Sequence, residues 1–170
     1  MRARLRYFRF ALMTALFGCA GLAHAQVEED TLKAAFIYNF ALYTTWPAPL
    51  RDATSLTICL QRTSTLAPAL RGLVGKPVQQ RALVVKEIDL NGSRVGCDVQ
   101  ISGSSGAGQI WHEPGVLTIC DCGEDDDASG AVVLLVREGT RLRFDIDLAA
   151  ASASGLSLSS KLLHLARTTR

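Results

Sequence analysis

The chain has 170 residues, 48% hydrophobic and 6% aromatic, with 18 lysines and arginines against 16 aspartates and glutamates. Four of those bases, Arg2, Arg4, Arg6 and Arg9, stand at the extreme N-terminus; without them 14 bases face 16 acids, a net charge of −2. No basic stripe remains to follow a nucleic-acid backbone, and the length suits one domain with an adequate core.

Residues 1–25 read as a cleaved signal peptide. The four arginines form a basic n-region, Phe10 to Leu22 an apolar h-region, and Ala23-His24-Ala25 an A-x-A cleavage site. The apolar run is shorter than the ~20 residues of a membrane span. Leu16-Phe17-Gly18-Cys19 offers a lipobox-like alternative, with Cys19 lipidated. Phe17 is bulky for that motif, so cleavage before Gln26 is preferred and 26–170 form the exported domain.

The stretch from Asp30 to Pro47, DTLKAAFIYNFALYTTWP, predicts a helix. Asp30 and Thr31 are candidate N-caps, and Leu32, Ala35, Phe36, Asn39, Phe40 and Tyr43 recur at helical spacing. Trp46-Pro47 is the expected stop. Lys33 and Asn39 are the main polar interruptions before Thr44, so the helix is a core helix, with Tyr38, Tyr43 and Trp46 on a rim available to a partner.

Ser55 to Leu60 then reads as a strand, Leu66 to Leu73 as a short helix, and Ala82 to Glu87 as a second strand. Asn91-Gly92 marks a turn. Cys97 to Ser102 is a third strand, with Cys97, Val99 and Ile101 on one face by period two. A small helix over 104–112 precedes a fourth strand, Val116 to Asp121. Ala131 to Val136 and Arg141 to Asp147 form a hairpin turning at Glu138-Gly139. Leu148 to Ser154 and Ser159 to Arg167 are helices separated at Gly155. The alternation predicts a single α/β domain: a central, mixed, mostly parallel sheet with an antiparallel C-terminal hairpin, flanked by helices.

Cys59, Cys97, Cys120 and Cys122 remain after the signal, an even number with three pairings, and export favours bridging. Cys59 and Cys97 each fall on a predicted strand. A bridge between them would stabilise by about 3–4 kcal/mol in the chain-entropy model.

Catalytic patterns are missing. The exported part has two histidines, His112 and His164, no nucleophile elbow and no H-E-x-x-H. No enzymatic activity, cofactor or metal is expected. Gly103-Ser104-Ser105-Gly106-Ala107-Gly108 has the wrong order for a dinucleotide fingerprint and reads as a flexible turn, with a weak anion site as the alternative. Cys120-Asp121-Cys122 before Glu124-Asp125-Asp126-Asp127 mixes soft and hard metal ligands without the spacing of a calcium loop. It reads as a solvated acidic loop, then as a redox pair. Arg137, Arg141 and Arg143 surround the hairpin and either solvate an edge strand or meet an acidic partner.

Four pieces together resemble the YfiR family of small periplasmic proteins. They are Leu32-Lys33-Ala34-Ala35-Phe36-Ile37-Tyr38-Asn39-Phe40 closed by Trp46-Pro47, Leu56-Thr57-Ile58-Cys59, Arg141-Leu142-Arg143-Phe144-Asp145-Ile146-Asp147, and Gly155-Leu156 with Ser159-Ser160-Lys161-Leu162-Leu163. The resemblance implies an α/β domain that binds and represses a membrane-bound diguanylate cyclase from the periplasm, lowering cyclic di-GMP and biofilm formation. Its implied partners are the periplasmic domain of that cyclase and an OmpA-like outer-membrane lipoprotein; a homodimer is also allowed for. It implies a disulfide between Cys59 and Cys97. A second bridge in the family has only Cys120 and Cys122 to fall on, a tight Cys-x-Cys ring expected to be strained and easily reduced, or a redox pair. Asp147 stands where the family more often has Asn. Tyr43 and Trp46 are the expected partner-binding aromatics, and Ser157, Ser159 and Lys161 the expected surroundings of a small-molecule pocket. The alternative function is a periplasmic small-ligand or redox-sensing module unconnected to cyclic di-GMP.

Overall fold

A computed structural model describes residues 26–47, 54–89, 92, 95–103, 113–122 and 130–170. The signal peptide expected over 1–25 with Cys19, Asn91, the helix expected over 104–112 with His112, the turn expected in the glycine-rich stretch after Gly103, and the acidic run 124–127 lie outside the described residues.

The first helix, α1, covers 26–42. It therefore starts before the expected caps. Asp30 is buried inside it, where Gln26 Nε2 donates to its carboxylate at 2.9 Å and Thr65 Oγ1 at 3.4 Å. Thr31 Oγ1 donates back to the Val27 carbonyl at 2.7 Å. Neither residue caps the helix, because a longer helix already satisfies the backbone groups that a cap would serve. Nor does the helix run to Trp46. It ends at 42, and the β-branched Thr44–Thr45 (β1) pairs antiparallel with Ser157–Leu158 (β9) as a separate two-stranded ribbon.

The remaining strands form one sheet. They are Ser55–Gln61 (β2), Pro77–Val78 (β3), Arg81–Ile88 (β4), Val99–Gly103 (β5), Leu117–Asp121 (β6), Val133–Glu138 (β7), Arg141–Ile146 (β8) and Thr168–Thr169 (β10). Their spatial order is β10-β8-β7-β6-β5-β2-β4-β3. The five strands from β4 to β7 are mutually parallel, while β3 pairs antiparallel with β4 and β8 antiparallel with β7; β10 then adds to β8 in parallel. Counted along the chain, the parallel block runs 2-1-3-4-5, an open doubly wound order. The expected hairpin is β7–β8, whose Gly139 takes φ +61°, a left-handed backbone that glycine adopts without steric cost.

Among the described residues three further helices are short: Ala67–Arg71 (α2), Leu148–Ala153 (α3) and Ser160–Leu165 (α4). These helices and α1 feed one core. Ala34, Ile37 and Phe40 of α1, Leu70 of α2, Ala151 of α3 and Leu162 of α4 pack on Ile58, Leu60, Val99, Leu117, Ile119, Leu135 and Ile146 of the sheet. Phe40 and Phe36 meet Phe144 of β8 edge-on, with ring centroids 4.8 and 5.8 Å apart.

Alternation sends Cys59 and Cys120 to the opposite face of the sheet. Cys59 is bonded to Cys97, with Cα atoms 5.7 Å apart, and packs with Ile88. Here period two misplaces Cys97. The strand begins only at Val99, so Cys97 escapes the alternation and packs with Cys59 and Ile88, away from Val99 and Ile101. Cys120 and Cys122, both buried, are also bonded, with Cα atoms 5.2 Å apart.

Asp147 is the N-cap of α3. Its Oδ1 accepts from the Ala150 N–H at 2.8 Å, and Oδ2 lies 3.4 Å from Arg170 Nε. Asn in that place would keep the cap and lose the ion pair; the cap itself contributes about 1 kcal/mol.

Candidate functional site

Two groups of polar side chains stand at opposite edges of the parallel block. The amino edge is built around Asp98, the residue just before β5. Its side chain is 4% exposed. Oδ2 accepts from the Thr57 N–H at 2.8 Å and Oδ1 lies 3.3 Å from Arg81 Nη1. Its backbone carbonyl accepts from Trp46 Nε1 at 3.3 Å and from the Leu117 N–H at 2.9 Å. One carboxylate residue thus ties together the starts of β2, β4, β5 and β6. The Arg81 guanidinium, held by Asp98, sits 4.9 Å from the centre of the Trp46 ring, a cation–π geometry.

Trp46 is half-buried against the core, and so is Tyr43, whose backbone carbonyl accepts from the Ser159 N–H at 2.9 Å. Tyr38, the third rim aromatic, donates its hydroxyl to the Pro77 carbonyl at 2.7 Å. Gln79 turns the β3–β4 connection with φ +56°, and its amide donates to the Thr44 carbonyl at 2.8 Å. Sequence reasoning selected the aromatic rim but missed Arg81, Asp98 and Gln79. The available signal was Asp98 itself, an acid set directly against the apolar start of β5.

Ser157, Ser159 and Lys161 come next to Tyr43 through the ribbon. Ser157 pairs with Thr45. Ser159 is the N-cap of α4, its Oγ accepting from the Leu162 N–H at 3.4 Å, and Lys161 is exposed on that helix. None of the three lines either of the two clefts described below. His164 is exposed on α4. Among the described residues, no three His, Cys, Asp or Glu side chains come together as a metal site.

The carboxyl edge is organised by Lys33 of α1. Its ammonium lies 2.8 and 2.9 Å from the two carboxylate oxygens of Asp121, at the end of β6, and 3.2 Å from Glu29. Glu29 also pairs with Arg137 of the hairpin. Arg143 lies 3.8 Å from Glu138, so two of the three hairpin arginines have acidic partners within the chain. A cleft of about 350 Å³ between α1 and the hairpin is lined by Glu28, Leu32, Arg141 and Leu142 among others. A second, of about 220 Å³, opens at the ends of β2, β5 and β6.

On β8, Asp145 receives two hydrogen bonds from Arg167, at 2.9 and 2.7 Å. Those bonds, with smaller help from Thr168 and Arg170, hold its carboxyl below the usual carboxylate range against the opposing effect of burial. The folded protein thus binds this proton less readily than the unfolded chain, so the stabilisation is present at neutral pH and is lost as pH falls through the folded value. Asp145→Asn should be less stable than the parent at pH 7, by about 1 kcal/mol at most for a solvent-screened pair. The gap should close as unfolding is repeated at pH values stepped down towards 3. A constant gap would show that the charge is not its source.

Among the described residues no helix is long and apolar enough to cross a membrane. Fold and edges together define an open-sheet α/β domain stapled by disulfides, with the Asp98–Arg81 and Lys33–Asp121 ion pairs at its two edges. The chain belongs to the YfiR/HmsC-like family, whose model matches residues 30–167. No curated protein matches it.

Proposed function

We propose that the protein is a periplasmic, non-enzymatic regulator that binds the periplasmic domain of a membrane-bound diguanylate cyclase and represses it. Lower cyclic di-GMP and reduced biofilm formation would follow. The observation that carries this reading is the family match, which runs from α1 to the approach of the last strand. Residues 1–25, as a cleaved signal, deliver the domain to that compartment. Repression needs no chemistry by the regulator, only a higher affinity for the inactive state of the cyclase.

Tyr43 and Trp46 are the residues we assign to the partner surface. Each is half-exposed, and aromatic anchors dominate interface energetics. An OmpA-like outer-membrane lipoprotein that covers the same rim would release the cyclase.

The test is intracellular cyclic di-GMP in a strain lacking this gene and in the complemented strain. The level should rise on deletion and return on complementation, and a Tyr43→Ala protein that still folds should restore it less well. An unchanged level, with the cyclase shown to be expressed, would overturn the proposal. It would favour the alternative of a small-ligand or redox-sensing module. That second reading draws support from Asp121, which stands between the bonded Cys120 and Cys122 while pairing with Lys33 of α1.

A further inference from the structure

The strand order places a crevice away from Tyr43 and Trp46, the residues assigned to the partner surface. The chain runs from β2 to β4 on one side of it, and β5 lies on the other side. The strand after β2 lies on one side and the strand after β5 on the other, so the strand order reverses between β2 and β5. Open parallel sheets hold their ligands at such a point, because the diverging connections leave a gap above the strand ends. The cleft of about 220 Å³ lies there. Gln61 ends β2, Gly103 ends β5 and Asp121 ends β6, while Thr63 and Ser64 follow β2 and Lys33 closes the side from α1. Lys33 is nine residues before the end of α1, so the cleft is ~13 Å or more along the helix from the Trp46 edge.

Its chemistry follows from charge and hydrogen bonding. Lys33 and Asp121, the described charged residues that line the cleft, pair with each other and connect through Glu29 to Arg137 outside it, two cations against two carboxylates. The carboxylate of Asp30, buried behind the lining, accepts from Gln26 and Thr65. All three ammonium hydrogens of Lys33 have carboxylate oxygens within 3.2 Å, leaving none for an incoming anion. Among the described residues, what the cleft offers instead is neutral. The Gln61 amide and Thr63 hydroxyl have no side-chain partner among the described residues, and Ser64 Oγ accepts from the Leu66 N–H at 3.3 Å, keeping its own hydrogen to donate. Leu66 and Ile101 supply apolar wall. Gly103 adds no side chain, and a Cβ built there would meet nothing within 4 Å. The volume is below the roughly 300–1,000 Å³ of pockets for drug-sized ligands.

We propose that this cleft binds a small, neutral, hydroxyl-rich molecule of about monosaccharide size. A planar amide and two adjacent hydroxyls can each donate and accept, which suits vicinal hydroxyl groups, and the cancelled charges favour neither an anion nor an amine. The site goes beyond the regulatory reading and stands without it.

The test is an NMR titration of the ¹⁵N-labelled domain with D-glucose, D-galactose, N-acetylglucosamine, myo-inositol and glycerol, and with inorganic phosphate and putrescine as charged probes. At least one neutral compound should give saturable shifts at the Gln61, Thr63, Ser64 and Gly103 amides. Gln61→Leu should weaken that binding about tenfold, the loss of roughly one hydrogen bond. Thr63→Val, at an exposed position, gives the same reading should Gln61→Leu misfold, and His164→Ala, exposed on α4 and outside the cleft, should leave binding unchanged. The proposal is overturned if no neutral compound gives saturable shifts at those amides, if phosphate or putrescine binds there more tightly, or if both cleft variants bind like the parent.

Discussion

Asp98→Ala should lower the stability of the domain by about 3–5 kcal/mol, the range for breaking a buried ion pair from one side. The loss is not that of one contact. Arg81, whose side chain is 15% exposed, would keep its charge without its carboxylate, and the Thr57 N–H would lose its acceptor. The Arg81 guanidinium would also lose the partner that holds it over Trp46. Asp98→Asn tests the division of these effects. An Asn side-chain oxygen can still accept from the Thr57 N–H, so the remaining loss reports on the charge. Urea unfolding followed by circular dichroism would measure both variants. A loss below about 1 kcal/mol for Asp98→Ala would show that the cluster relaxes into water and that Asp98 does not tie the strand starts together.

Removing the Cys59–Cys97 bond should cost about 3–4 kcal/mol, the closure entropy of its long loop. The residues are 38 apart in sequence, and their bond joins β2 to the segment entering β5. Alanine is the cleaner replacement. Both cysteines are almost fully buried beside Ile88, where a serine hydroxyl would add the cost of an unpaired polar group. For a domain of this size the double alanine variant should melt about 10 °C below the parent. If the closure entropy is the cause, the loss arises in the unfolded state, and the folded spectra of the two proteins should agree closely. A loss under about 1 kcal/mol would mean that the reduced, unfolded chain already keeps these segments close. The same variant tests the regulatory reading. A Cys59 variant that folds and restores cyclic di-GMP control like the parent would show that repression does not depend on the bond.

How much of this was legible beforehand depended on the range of the interaction. Local reading of apolar runs located β2, β4, β6 and the β7–β8 hairpin to within one or two residues, because each run is apolar enough to stand out from its flanks. It failed at Cys97, where the backbone has not yet become a strand. It also failed at β1, β3, β9 and β10, two residues each and too short to carry any period. The start of α1 was misjudged for a related reason. Asp30 has the chemistry of a cap, but Thr65, 35 residues away, draws its carboxylate inside the fold.

The aromatic rim at Tyr43 and Trp46 was visible in the sequence, since large aromatics ending an apolar helix stand out by type alone. Arg81 carries no such mark, and Asp98 only a weak one, an acid against an apolar strand start, until the fold brings the two together. Sequence by itself determined the α/β class, the apolar faces and the family pattern, all of which rest on residues close along the chain. The tertiary structure alone decided the 2-1-3-4-5 strand order, the keystone role of Asp98 and the pairing of Lys33 with Asp121 across 88 residues. Strand order follows from which faces can be buried together, and that is a property of the whole core rather than of any one segment.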